Sequence, residues 1–130
     1  MDESGVKINN MLPINHCQKV VSGKATFYFG PSTKEKSVGY LELQPQSSLA
    51  LHNREGGIET VTQVKGQCVM IIFDRPQGAN HLLKTGDKLI IKPKGVRHIH
   101  TNPFDKTCLT YWHFDGDIRK VIEAIRKGAE

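Results

Sequence analysis

The sequence lacks the marks of several common protein classes. Its 130 residues include only three cysteines, Cys17, Cys68 and Cys108, which form no Cys-x-x-Cys pair and are odd in number, so free thiols are expected instead of a disulfide framework. No apolar run approaches the roughly 20 residues that a membrane span needs. Residues 1–16 contain no basic segment followed by an apolar block, which is the pattern of a secretory signal. We therefore expect no membrane association and a cytoplasmic location.

Sequence motifs for covalent catalysis and for phosphate binding are also missing. No Ser/His/Asp order, Cys/His pairing or glycine-rich phosphate loop is present. The formal net charge is +5, but the 18 lysines and arginines are spread along the chain and form no continuous block. Nucleic acid is therefore not an expected partner.

What the sequence does contain is a succession of short strand-like segments. Each is rich in β-branched, aromatic and leucine residues, and turn signals containing Gly, Pro or Asn separate them. The nine predicted strands cover residues 24–29, 38–43, 48–51, 59–64, 68–73, 81–83, 88–91, 96–101 and 108–114. Short strands with this punctuation predict an all-β sandwich or barrel.

The two ends of the chain differ from this pattern. Residues 1–18 show no clear periodicity and are predicted to be an N-terminal arm, whose Met11, Leu12 and Ile14 would pack on the domain or on a neighbouring subunit. Residues 19–130 are predicted to form one domain. Near the C-terminus, apolar residues recur at helical spacing and predict an amphipathic helix over about 116–127, with Asp115 or Asp117 as its cap.

Two stretches resemble the motifs of the cupin superfamily. The second stretch, PKGVRHIHTN at residues 93–102, matches the family pattern Pro-x-Gly-x-x-His-x-x-x-Asn at every position. The first stretch keeps His52, Glu59 and Gly66 at the family's spacing, but Gln46 replaces its opening glycine and Arg54 replaces its second histidine. The resemblance covers about 38–114 and implies a double-stranded β-helix, the jelly-roll barrel of two facing sheets.

The resemblance also implies a metal site. Of the four ligands that the family draws from its two motifs, three are kept as His52, Glu59 and His98. Two imidazoles and one carboxylate suit iron, manganese, zinc or nickel as a divalent ion. His100 would lie on the same strand face as His98 and is a candidate fourth ligand.

Other residues are candidates for binding a small anionic ligand. Arg54 carries a fixed positive charge, which opposes a dication and attracts an anion. Asn102 would point into the barrel with His98. Tyr111 and His113 alternate along the last strand with Trp112 and Phe114; we expect Tyr111 and His113 to face the pocket and the other pair to pack against the terminal helix. These four candidates are Arg54, Asn102, Tyr111 and His113.

Two functions are compatible with these features. The first is a small cupin that binds a divalent metal and a small anionic ligand. The family includes metal-dependent dioxygenases, isomerases and lyases, and the residues of this sequence do not distinguish among these three reaction types. The alternative is a metal-free cupin that acts as a ligand-binding or dimeric scaffold module without catalysis, and the loss of one ligand position favours it. A homodimer is expected in either case, because small cupins pair through sheet edges and the arm offers apolar residues.

Overall fold

The computed structural model describes residues 11–50, 52 and 56–128. A short 3-10 helix at Ile14–His16 is followed by ten strands and one α-helix. The strands are β1 Gln18–Ser22, β2 Ala25–Ser32, β3 Lys36–Leu43, β4 Ser47–Ser48, β5 Ile58–Lys65, β6 Cys68–Ile72, β7 Ala79–Leu83, β8 Lys88–Ile91, β9 His98–Asn102 and β10 Cys108–Asp115, and the helix is α1 Arg119–Arg126.

The strands form two antiparallel sheets. One has six strands in the order β1-β2-β3-β10-β5-β8, and the other has four in the order β4-β9-β6-β7. The last long strand, β10, lies between β3 and β5, and β9 lies between β4 and β6, so strands distant in sequence become neighbours in both sheets. This is the double-stranded β-helix with one C-terminal helix that the sequence predicts.

The core lies between the two sheets. Burial alternates residue by residue along β6, β9 and β10, so one face of each strand points into the barrel and the other points out. The interior is filled mainly by aromatic and branched side chains, each of which stabilises the fold by about 1.5–3 kcal/mol when fully buried. The larger of these are Phe27, Phe29, Leu41, Leu43, Val61, Met70, Ile72, Trp112 and Phe114.

Each of the nine predicted strands has a counterpart, but the prediction lacks β1. This strand pairs with β2 through a tight turn, with Ser22 opposite Ala25. Its sequence, QKVVS, shows no alternation of apolar and polar residues, and its position at the edge of the six-stranded sheet leaves most of it exposed. The predicted strand at 48–51 corresponds to the two residues of β4, and Leu51 lies outside the described residues.

The C-terminal helix is shorter than the predicted range 116–127. Asp115 belongs to β10, and Asp117 precedes the helix, where its carboxylate accepts a hydrogen bond from the backbone N–H of Arg119 at 3.1 Å. Ile118, Ile122 and Ile125 are buried against the barrel, as their spacing predicts. Over the described part of the chain, neither helix is long and apolar enough to cross a membrane.

Candidate functional site

An antiparallel β-bridge brings together the histidines of the two motifs. The N–H of His52 donates to the carbonyl of His98 at 3.1 Å, and the N–H of His98 donates to the carbonyl of His52 at 2.8 Å. His98 begins β9, while Glu59 lies on β5 in the opposite sheet. Their side chains meet inside the barrel, where all three line one cavity.

Among the three side chains, those of His98 and Glu59 come near the separation of two metal ligands. His98 Nε2 is 3.7 Å from Glu59 Oε1, and the rings of His52 and His98 meet edge to face with centroids 4.3 Å apart. Two ligand atoms at about 2.0–2.1 Å from one ion lie roughly 3–3.5 Å from each other. In residues 11–50, 52 and 56–128, no three His, Cys, Asp or Glu side chains are already spaced as a metal site.

The orientation of both imidazoles suits a metal ligand. His52 Nδ1 lies 2.7 Å from the carbonyl oxygen of Ala50, and His98 Nδ1 lies 3.2 Å from that of Val96. A carbonyl can only accept, so the neutral form of each ring carries its proton on Nδ1 and its lone pair on Nε2. A backbone carbonyl on the far nitrogen is the usual support of a metal-binding histidine. The donor types therefore fit a divalent ion, and the separation of His98 Nε2 and Glu59 Oε1 would have to shorten by a few tenths of an ångström.

His100 is held by a different set of contacts. Its Nε2 is 3.3 Å from Thr110 Oγ1, and the Thr110 hydroxyl donates its one hydrogen to Gln63 Oε1 at 2.7 Å. His100 therefore donates from Nε2 to Thr110. Burial, with a smaller effect of neighbouring His98, lowers the pKa of His100 to about 4, so the ring is neutral at pH 7. A role as fourth ligand through Nε2 would break this hydrogen bond, and it stays a prediction.

A buried polar cluster beneath His100 is absent from the sequence-based predictions. The Cys68 thiol donates to Gln63 Oε1 at 3.1 Å, and Gln63 Nε2 donates to the carbonyls of Lys65 and Gly66. The adjacent Cys108 thiol and burial raise the pKa of Cys68. All three cysteines are free, as expected. No local motif marks this cluster, because its members come from four different strands.

Asn102 does not face a ligand. Its side chain is fully buried, and Nδ2 donates to the carbonyls of Leu43, Gln44 and Lys106 at 2.8–3.2 Å. Its Oδ1 accepts from the N–H of Phe104 at 3.1 Å. These partners use both hydrogens and one lone pair of the amide. The expected contact of Asn102 with substrate is therefore corrected to a structural role at the end of β9.

The two faces of β10 confirm the predicted packing of Trp112 and Phe114 with the terminal helix, but not the predicted position of Tyr111 and His113. Trp112 and Phe114 point into the barrel and line its cavity, whereas Tyr111 and His113 lie on the outer face of the six-stranded sheet. Alternation lets only one set face inward, and the indole and phenyl rings gain more from burial than a phenol and an imidazole. Tyr111 and His113 cannot contact a ligand inside the barrel. Arg54, the remaining candidate, lies outside the described residues.

The barrel cavity is small and mostly apolar. Its volume is about 60 Å³, which is room for a few water molecules and far below the roughly 300–1,000 Å³ of pockets for drug-sized ligands. His52, Glu59, His98, His100 and Thr110 supply its polar lining. Four apolar residues at and near helix α1 close one side: Ile118, Val121, Ile122 and Ile125.

Comparison with known proteins identifies the fold alone. No protein-family model matches the chain, and no curated protein matches it. Among solved structures, an RmlC-like cupin from Shewanella frigidimarina shares 12% identity over 87% of this chain and 96% of its own, with a TM-score of 0.70. The chain has a cupin fold. The cupin domain of Drosophila melanogaster CENP-C gives the same TM-score at 14% identity, over 82% of this chain and 79% of its own.

Enzymes occur among the similar structures as well. Oxalate oxidase in complex with the substrate analogue glycolate shares 16% identity over 63% of this chain, with a TM-score of 0.58. Bacillus subtilis oxalate decarboxylase shares 17% identity over 80% of this chain, with a TM-score of 0.70. The chain spans 42% of the oxidase chain and 29% of the decarboxylase chain. Enzymes and other cupin domains thus share this barrel.

Proposed function

We propose that this cupin binds a divalent metal ion at the polar end of its barrel, together with a small anionic ligand. The observation that carries the proposal is the paired arrangement of His52 and His98. Their backbones exchange two hydrogen bonds. In each ring Nδ1 lies near a backbone carbonyl, which leaves Nε2 directed away from it. Glu59 Oε1 lies 3.7 Å from His98 Nε2. His52, Glu59 and His98 would hold the ion.

The volume of the barrel cavity and the positive charge of Arg54 support a small anion as the ligand class. A cavity of about 60 Å³ admits a molecule of a few heavy atoms, such as a small carboxylate. The two oxalate enzymes of the same fold support a small carboxylate as the ligand class. Arg54, two residues after His52, supplies a fixed positive charge suited to a carboxylate. A bound divalent ion would act as a Lewis acid toward an oxygen of the ligand.

A second candidate is a metal-free cupin that binds a ligand or a partner without catalysis. Two observations favour it. No three candidate ligands are at metal-site spacing in the described parts of the chain, and a positively charged arginine replaces the family's second histidine. The CENP-C cupin domain of Drosophila melanogaster, which has been crystallised bound to CAL1, has the same fold and serves as a precedent for a protein partner.

Metal content after loading separates the two candidates. We would load wild type, His98→Ala and Arg54→His separately with Fe²⁺, Mn²⁺, Zn²⁺ and Ni²⁺, remove unbound metal and measure metal per chain by elemental analysis. We expect metal in wild type and none in His98→Ala, because two protein ligands hold an ion poorly. Arg54→His should contain more metal than wild type, since it exchanges a fixed positive charge for a neutral imidazole.

A matched control is His16→Ala, which removes an exposed histidine from the 3-10 helix. It should bind as much metal as wild type, and circular dichroism should show that every variant is folded. An empty wild type with a filled Arg54→His variant would identify the native protein as the metal-free candidate. Empty wild type and empty Arg54→His together would rule out a metal site in the barrel.

A further inference from the structure

A second, larger cavity lies on the outside of the barrel. It is a groove of about 620 Å³ across the outer face of the six-stranded sheet, where β3, β10, β5 and β8 run side by side. Val38, Thr60, Thr62 and Tyr111 line it from these strands. We propose that this outer groove is a binding site for a small organic molecule that carries a phosphate or carboxylate group. The proposal does not rest on metal binding in the barrel.

One wall of the outer groove is built by the segment that precedes β1. The Tyr40 hydroxyl donates to the carbonyl oxygen of Leu12 at 2.6 Å. The Tyr40 and Tyr111 rings meet edge to face at 5.1 Å. The Tyr40 hydroxyl thus holds Leu12 against the sheet, and Tyr111 packs beside Tyr40. Met11 lines the groove next to Leu12. The groove therefore has a defined wall as well as a floor.

Positive charge is placed at both sides of the outer groove. Lys36 lies on β3, directly opposite Asp115 of β10. Lys88 lies on β8, three strand spacings or about 14 Å across the sheet and four register positions further along the strands. His113 lies between them, with Asp115 Oδ1 3.8 Å from its Nε2. Among the described residues, the groove lining contains no Asp or Glu. Asp115 partly offsets the charge at the Lys36 end, so the positive charge that favours an anion is greatest near Lys88.

The dimensions of the groove favour a small molecule over the other possible occupants. Its volume lies within the 300–1,000 Å³ range of small-molecule pockets and is about ten times that of the barrel cavity, so a ligand that fills the groove is too large for the barrel. Val38, Met11 and Leu12 offer apolar contact to the body of such a ligand, while the threonine hydroxyls can donate hydrogen bonds. A second copy of the chain docked on this face would bring a second pair of lysines to the same interface, and like charges there are unfavourable.

Calorimetric titration with two naphthalene probes tests this site. 1-Naphthyl phosphate and 1-naphthoate carry the two anionic groups on one apolar body, and 1-naphthol is the uncharged reference. We expect at least one of the anions to bind wild type at least tenfold more tightly than 1-naphthol, and the better anion indicates which group is preferred. The double variant Lys36→Ala/Lys88→Ala should weaken that binding at least tenfold. The matched control Lys24→Ala/Lys94→Ala removes the same charge from exposed turns and should stay within twofold of wild type.

Several results would overturn the proposal. They are the absence of anion binding to wild type and an equal loss of affinity in both double variants. The His98→Ala variant separates this site from the barrel, because anion affinity should be unchanged in it. Loss of anion binding in His98→Ala would place the probe in the barrel and contradict an outer site, whereas failure of metal loading leaves the prediction for the probes intact.

Discussion

The side chain of Asn102 shows how a single motif residue can serve the fold. It closes β9 by joining the carbonyls of Leu43 and Gln44, at the end of β3, to the turn that contains Phe104 and Lys106. The chain therefore needs an amide at this position, because a carboxylate could not donate to three carbonyls and an apolar side chain would leave them without a side-chain partner. The last residue of the PKGVRHIHTN stretch thus links the end of β3 to the turn after β9.

We predict that Asn102→Ala lowers the free energy of unfolding by about 2–4 kcal/mol, because several buried backbone groups lose their hydrogen-bond partners. Urea denaturation would measure this change. Asn80→Ala is the control, since Asn80 is exposed on β7 and its loss should cost less than about 0.5 kcal/mol. If the two variants are equally stable, Asn102 does not have the structural role described above. Metal loading of the folded Asn102→Ala protein should match that of wild type.

At the scale of elements, helix α1 closes the barrel. Its inner side buries Ile122 and Ile125 against the cavity. Next to Ile122 on the same side of the helix, Arg126 Nε donates to Gln18 Oε1 at 2.6 Å, and the Arg126 guanidinium lies 5.5 Å from the centre of the Phe29 ring. The helix has only eight residues, too few to be stable alone in water. Its stability therefore comes from packing on β1 and β2 and over the cavity.

We predict that Ile122→Ala destabilises the protein by about 2–4 kcal/mol, through lost apolar burial and an enlarged cavity. The exposed Lys120→Ala in the same helix is the control and should lie within about 0.5 kcal/mol of wild type. Thermal and urea denaturation would compare the three proteins. A small effect of Ile122→Ala would mean that α1 contributes little to closing the barrel.

At the scale of the whole molecule, the free edges of the sheets bear on self-association. Part of the expectation of a dimer came from the apolar residues of the arm, yet Leu12 packs on its own chain. Pairing through a sheet edge, the other ground for expecting a dimer, is possible at the edge strand β1, where Val21 is 64% exposed. The outer groove lies toward the opposite edge of the same sheet, so pairing through β1 would leave that groove open.

We predict a homodimer that pairs through the β1 edge. Light scattering at micromolar concentration should give twice the mass of the chain, and Val21→Lys should shift the protein to the monomer because a charged edge residue opposes strand pairing. Lys19→Arg keeps the charge of the same edge and should remain dimeric. A monomer at every concentration would contradict the prediction, and a dimer that survives Val21→Lys would place the interface elsewhere.

The sequence by itself determined the strands and the type of barrel. Alternating apolar residues and Gly, Pro or Asn turns are local signals, so nine strands and the helix could be predicted, and the PKGVRHIHTN stretch identified the jelly-roll arrangement. The glycine of that stretch illustrates the local constraint. Gly95 has a φ of +80°, a backbone conformation in which residues with a side chain are strained.

Tertiary structure decided what depends on partners distant in the sequence. The edge strand β1 forms by pairing with β2. The Asn102 amide donates to two carbonyls that lie more than 50 positions away in the sequence. Alternation also placed Tyr111 and Trp112 on opposite faces of β10, but only the packed barrel determined which of them faces inward. The physical reason is that strand periodicity is a property of a few neighbouring residues, whereas the inward face and the partners of a buried polar group follow from the burial and hydrogen bonding of the whole chain.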